Sequence, residues 1–229
     1  MVIAPIQQFG IGDILFTMPI FQEFIEQGHH VLWGVQSQYL SIAKHFPNVT
    51  FVDKSVLTFD VRRNDEYLIG NTRVIPLRFT DSIIGLPYNR CMESKYLYFG
   101  KDFNEWRKLV WERDWENEEK LFTELGLKTG EEYNLISKTF RGNFTGKSEI
   151  EVDNGLKNIY LENLEGYSLL DWGTVIEQAT NIHAVCSSIN YILEMLNLCA
   201  KEVHLYLRLP DEKDYRNIEY LLTKDYIFH

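Results

Sequence analysis

The chain has 229 residues, enough for one large domain or two small ones, and its 45% hydrophobic and 24% charged residues supply a buried core rather than a disordered segment. With 23 Lys and Arg against 33 Asp and Glu, the formal net charge is −10, which disfavours non-specific binding to a nucleic-acid backbone but leaves room for a local basic site that holds a small phosphate ligand. Cys91, Cys186 and Cys199 show neither a metal-ligand spacing nor an even pairing, which fits a reducing, cytoplasmic setting. No apolar run approaches the roughly 20 residues that span a bilayer, and residues 1–12 lack the basic-then-apolar pattern of a secretory signal.

Residues 1–6 form a short apolar run, the pattern of a buried strand, and residues 7–12 a polar loop with two glycines. From Asp13 the period becomes helical: Ile14, Leu15, Met18, Phe21, Phe24 and Ile25 share a stripe that ends near Gly28. Strands are expected at 31–35 and 49–52, with a helix at 39–46 stopped by Pro47. This strand–helix alternation predicts a parallel sheet with crossover helices. A further strand is expected at 74–79, an irregular stretch at 81–92 and one long charged helix at 103–125. The acidic run Glu112, Asp114, Glu116, Glu118 and Glu119 reads as a solvated face of that helix rather than a catalytic carboxylate pair.

Residues 126–132 read as a linker, after which the alternation restarts. Strands are expected at 133–140, 158–161, 182–186 and 203–207, and helices at 169–180, 187–198 and 211–222. The prediction is therefore an α/β chain of two Rossmann-like halves, 1–128 and 129–229, facing each other over a cleft.

Three strand exits carry candidate chemistry. Gly10-Ile11-Gly12-Asp13 opens the first helix, where unpaired N–H groups favour an anion and Asp13 is set either to cap the helix or to point into a ligand cleft. Leu15 stands where a third glycine would complete a dinucleotide fingerprint, so that motif is absent. In the second half, residues 142–148 miss the phosphate-loop spacing by one residue, since Arg141 stands where its first glycine should be. Lys138, Arg141 and Lys147 nonetheless gather at one strand exit and are candidates for a diphosphate. Ser187 and Ser188 follow the strand at 182–186 and either cap the next helix or hold a phosphate. Glu194, one turn past Asn190, is a candidate acceptor for ribose hydroxyls. His183 reads as a core residue, and Cys186 lacks the partners of a thiol nucleophile.

Residues 9–20, FGIGDILFTMPI, resemble the opening loop and helix of the heptosyltransferase-like glycosyltransferases, which read G-D-hydrophobic-hydrophobic-x-T-x-P there. Asp171-Trp172 and residues 179–188, ATNIHAVCSS, resemble the stretch that leads to the family's D-[ST]-G-x-x-H segment. In that segment Cys186, Ser188 and Tyr191 replace the family's Asp, Gly and His. The resemblance implies the GT-B architecture, with an acceptor-side N-terminal half and a nucleotide-sugar-binding C-terminal half. It further implies transfer of a sugar from a nucleotide-sugar to an acceptor hydroxyl on a glycan or other molecule, with Asp13 as general base. The nucleotide-sugar is then a co-substrate, and no metal or other cofactor is expected. The alternative is a non-catalytic nucleotide- or sugar-binding protein of the same fold.

Overall fold

A computed structural model describes residues 1–6, 10–60, 63, 65–77, 84–87, 90–141, 145–208 and 219–229. The chain divides into two compact units, Met1–Glu112 and Arg113–His229. The break expected at 128 thus falls earlier, and the helix preceding it belongs with the second half.

The first unit is built on a five-stranded sheet in the order β3-β2-β1-β5-β4. Its strands are β1 (Val2–Ile6), β2 (His30–Val35), β3 (Val49–Asp53), β4 (Tyr67–Ile69) and β5 (Thr72–Pro76). All neighbours run parallel except the β4–β5 hairpin. The expected strand at 74–79 is β5, while residues 78 and 79 lie outside the described residues. Between β1 and β2 sits helix α1 (Ile11–Glu26), with residues 14–21 buried without interruption. Phe21 meets Trp33 of β2 edge-on, with centroids 4.9 Å apart, and Phe16 meets Tyr96 at 5.1 Å. The expected helix at 39–46 is a 3-10 segment, Ser37–His45.

The long helix expected at 103–125 is two separate elements. Asp102 accepts from Asn104 N at 2.9 Å and starts a 3-10 turn, Phe103–Lys108. Asp114 accepts from Asn117 N at 3.2 Å and starts helix α3 (Trp115–Glu124), α2 being Cys91–Leu97 in the first unit. Each aspartate satisfies N–H groups left open at a helix start, which is why a break falls between them. The acidic run is correspondingly not uniform. Glu112, Glu116 and Glu119 are exposed, but Glu118 is fully buried. Its carboxylate takes Arg113 Nε at 2.8 Å and both Thr174 N and Thr174 Oγ1 at 2.7 Å, while Arg113 Nη1 reaches Glu177 at 2.7 Å.

The second unit carries a five-stranded, wholly parallel sheet in the order β12-β11-β10-β6-β9. Its strands are β6 (Tyr133–Ser137), β9 (Lys157–Tyr160), β10 (Asn181–Val185), β11 (Glu202–Tyr206) and β12 (Ile227–Phe228). Strands β7 (Thr139–Arg141) and β8 (Thr145–Lys147) add a small antiparallel pair. The helix expected at 169–180 is a 3-10 turn, Leu169–Trp172, that runs into α4 (Gly173–Glu177); Ser168 and Asp171 close a capping box there. Helix α5 (Ile189–Met195) follows β10. Of the helix expected at 211–222, residues 211–218 lie outside the described residues and Glu219–Leu221 forms a 3-10 turn.

An amide cluster crosses three of these strands. Asn134 of β6 is fully buried, and its Nδ2 donates to Asn154 Oδ1 at 2.8 Å and Asn158 Oδ1 at 2.9 Å. Its Oδ1 accepts from Asn154 at 3.1 Å and from Asn181 of β10 at 3.0 Å. A buried amide without partners costs about 1–3 kcal/mol, and here every polar site of Asn134 is used.

Candidate functional site

Asp13 is the third residue of α1, which begins after the carboxyl end of β1. Strand β1 lies between β2 and β5, the neighbours that follow it on opposite sides, so its carboxyl end is where the strand order reverses. Open α/β sheets place their ligands at such a point. The ladder from β1 to β5 runs from Val2 to Ile6, whereas that to β2 covers only Val2 and Ile3. Pro5 has no N–H to give and falls where the β2 ladder has already ended, so its place in a central strand leaves no register pair with β2 broken.

The helix start has no side-chain cap, so Asp13 does not take the capping role. Its carboxylate instead meets a lysine far along the chain: Lys95 Nζ donates to Asp13 Oδ1 at 2.6 Å. Lys95 lies in α2, whose Tyr96 hydroxyl anchors it on α1 by donating to Phe16 O at 2.7 Å. The Lys95 side chain is 6% exposed and that of Asp13 27% exposed, so a buried cation holds a carboxylate that reaches solvent. The second oxygen, Oδ2, has no partner among the described residues. Gly10 stands beside it, and a Cβ there would come within 3.5 Å of Oδ2. Thr17 of the same motif donates to Asp13 O at 2.7 Å and ties the first turn of the helix. Gly12 contributes backbone to that turn, and residues 7–9 of the predicted loop lie outside the described residues.

Lys95 escaped the sequence reading because its segment matched no motif. One signal was present: Cys91, Met92, Tyr96 and Phe99 form an apolar helical stripe, and Lys95 falls inside it. A lysine on the buried side of a helix needs a counter-charge.

In the second unit, Lys138 follows the carboxyl end of β6, and Ser187 and Ser188 follow that of β10. The two strands are adjacent, with Ala184 opposite Ser137, so these residues leave the same edge of one sheet. Lys138 is half-buried, with its Nζ 5.5 Å above the centre of the Tyr160 ring. The backbones of Arg141 and Lys147 lie on the β7–β8 pair; their side chains lie outside the described residues. Ser187 N donates to Asn190 Oδ1 at 2.7 Å, so the side chain that caps this turn is Asn190 and not a serine. Asn190 is fully buried, and its Nδ2 has no hydrogen-bond partner among the described residues. Glu194, expected to face a ribose, is committed elsewhere. Its carboxylate accepts from Thr223 N at 2.9 Å, Thr223 Oγ1 at 2.5 Å and Tyr226 Oη at 2.8 Å, and so holds the last segment of the chain.

A cavity of about 540 Å³ opens beside the second half of α1, bordered by Pro19, Gln22, Glu26, His45 and Trp111; none of the predicted site residues lines it. Among the described residues no three His, Cys, Asp or Glu side chains are placed to hold a metal ion, and no helix is long and apolar enough to cross a membrane.

No protein-family model matches the chain, and no curated protein matches it by sequence. Solved structures do. The chain is similar to the bacterial iron-containing dodecameric glycosyltransferase TibC of enterotoxigenic E. coli H10407, with a TM-score of 0.53 and 12% identity over 93% of this chain. Against the dodecameric iron-containing heptosyltransferase TibC in complex with ADP-D-β-D-heptose, the TM-score is 0.54 at 11% identity. The fold is of the GT-B glycosyltransferase type. The chain spans 60% of the length of those TibC chains. The α/β expectation, with a sheet of mainly parallel strands in each half, is thereby met, and so is the resemblance to heptosyltransferases at the level of fold.

Proposed function

We propose that the protein is a nucleotide-sugar-dependent glycosyltransferase in which Asp13 is the general base. The observation that carries this reading is the Asp13 carboxylate itself. One oxygen is fixed by Lys95 at 2.6 Å, and the other is unpartnered among the described residues, at the carboxyl end of the central strand β1. An ion-paired carboxylate holds one orientation, as a base must when it takes a proton at hydrogen-bond distance.

In the reaction, the acceptor O–H gives its proton to Asp13 Oδ2 while the acceptor oxygen bonds to the anomeric carbon. The bond from that carbon to the diphosphate oxygen breaks, and the electron pair leaves with the nucleoside diphosphate. The departing charge needs cations and N–H donors. Lys138 is the described cation at the exit of β6; Arg141, Lys147 and the turn at Ser187 and Ser188 complete the donor-side assignment, with the second unit as nucleotide-sugar holder and the first as acceptor side. TibC is described with ADP-D-β-D-heptose bound, so ADP-sugars are the first donors to try.

One observation favours a second reading, a nucleotide- or sugar-binding protein without turnover. The position of the family's His is taken by Tyr191, which is 8% exposed and brings a phenol in place of an imidazole. Incubation with ADP-, GDP- and UDP-sugars separates the readings. Release of nucleoside diphosphate by the parent chain, lost in Asp13→Asn, supports transfer. Saturable binding without release supports the second reading, and absence of binding to every donor sinks both.

A further inference from the structure

The edge of the second sheet carries a column of titratable rings that the proposed reaction does not use. His183 of β10 and His204 of β11 are register partners, and their rings stack with centroids 4.3 Å apart and planes at 7°. His204 Nδ1 lies 2.8 Å from His229 Nε2, and His204 Nε2 lies 3.0 Å from Glu202 Oε2. His229 in turn stacks on Tyr206 at 4.5 Å, and the Tyr206 hydroxyl lies 3.2 Å from His183 Nδ1. Strand β12, just before His229, has two residues, Ile227 and Phe228, exposed by 43% and 41%. It is held on β11 by two register pairs, by His229 N donating to Leu205 O at 3.0 Å and by the ring contacts of His229, while Glu194 holds Tyr226 just before it.

We propose that this column is an acid-sensitive latch, which holds β12 on the edge of β11 near neutral pH and releases it on acidification. The reason lies in the nitrogen–nitrogen contact. A separation of 2.8 Å between two ring nitrogens has room for one hydrogen, so one of the two must be an unprotonated acceptor. An added proton that puts an N–H on both sides of the contact removes its acceptor, and a second charge then sits beside a neighbouring imidazole ring.

The surroundings oppose that second charge. The ionisable groups acting on His183 are His204, His229 and Glu202, of which only Glu202 favours the charged form. Burial, then the two neighbouring imidazoles, hold His183 down to about 4. Burial and then His204 lower His229 as well. From β6 the register partner of His183 is the uncharged Ile136, and Arg208, further along the β11 segment, donates to Cys186 O. The His183 contribution is present above about pH 6.5, the ordinary histidine value, and is lost as the pH falls toward 4; that of His229 is likewise lost below the ordinary histidine value.

Amide exchange followed by NMR on the full 229-residue chain tests this. Between pH 7.5 and 4.5, the protection of the His229 amide, corrected for intrinsic exchange, should fall at least tenfold while β10 and β6 amides keep theirs. His229→Phe retains the ring stack without the titration and should make protection of the residue 229 amide independent of pH. Glu202→Gln removes the carboxylate that favours a charged His183 and should move the release midpoint to lower pH. Unchanged protection in the parent, a parent-like loss in His229→Phe, or an unmoved midpoint in Glu202→Gln would each overturn the latch.

Discussion

Replacing Asp13 by asparagine removes the proposed base and half of an ion pair at once, and the structure separates the two effects. The Lys95 ammonium is 6% exposed and its Asp13 partner 27% exposed, so Asp13→Asn leaves a buried cation facing a neutral amide. Breaking a fully buried pair costs about 3–5 kcal/mol, and the solvent contact of Asp13 reduces this to roughly 1–3 kcal/mol. For a chain of this size, that lowers the thermal midpoint by roughly 3–10 °C. A base is also lost, worth about 10²–10⁴ in rate. Lys95→Met is the complementary change. It replaces the buried cation with an apolar chain of similar length and leaves a carboxylate that water reaches, so the fold should stay within about 1 kcal/mol of the parent. The base survives but is no longer held, and the rate should fall about tenfold. Calorimetry and donor-dependent release of nucleoside diphosphate on the same three preparations decide the matter. A rate for Asp13→Asn within tenfold of the parent removes Asp13 from the mechanism. An unmoved midpoint in that variant refutes the ion-pair argument instead.

Glu118→Ala should destabilise the second unit by about 3–5 kcal/mol, because Arg113 and the Thr174 N–H lose a fully buried carboxylate; urea denaturation reads this directly. Gly34→Ala places a Cβ 2.4 Å from Leu57 Cδ1, the end of a flexible side chain, so a cost of about 1–3 kcal/mol is expected and Gly34→Ala/Leu57→Ala should recover most of it. His183→Gln should flatten the acid dependence of stability between about pH 6.5 and 4 by on the order of 2 kcal/mol, seen in denaturation midpoints taken across that range. Lys138→Ala should weaken nucleoside-diphosphate binding about tenfold by calorimetric titration, as loss of one charge-assisted hydrogen bond requires.

The parallel sheets were legible because their strands are short apolar runs between turn residues, and α1 because its apolar stripe has one period over sixteen residues. The 103–125 stretch was not, since charged residues with helical propensity fill both α3 and the gap before it. Asp114, its capping side chain, was itself read as part of an acidic face. Asp13 was legible as a candidate because it sits in a motif beside β1. Lys95 was not, because the contact spans 82 positions and a lysine in an apolar stripe looks locally like an ordinary helix residue. Glu194 failed for the opposite reason. Its helical spacing was sound, but Thr223 and Tyr226, which occupy it, arrive from the end of the chain.

The buried amide cluster around Asn134 has a consequence for how β6, β9 and β10 find one another. In a parallel sheet buried on both faces, the strands are near-continuous apolar runs, and a slip of two residues returns the same face to the same side. Hydrophobic pattern alone therefore separates the correct alignment from an odd slip far better than from an even one. Asn134 opposes Asn181 on one side and Asn158 on the other. A shift of two residues would set it against His183 or Tyr160 and strip hydrogen bonds from an amide that water does not reach. Four asparagines thus act as an alignment key, lowering the stability of every even-slipped pairing rather than raising that of the native one.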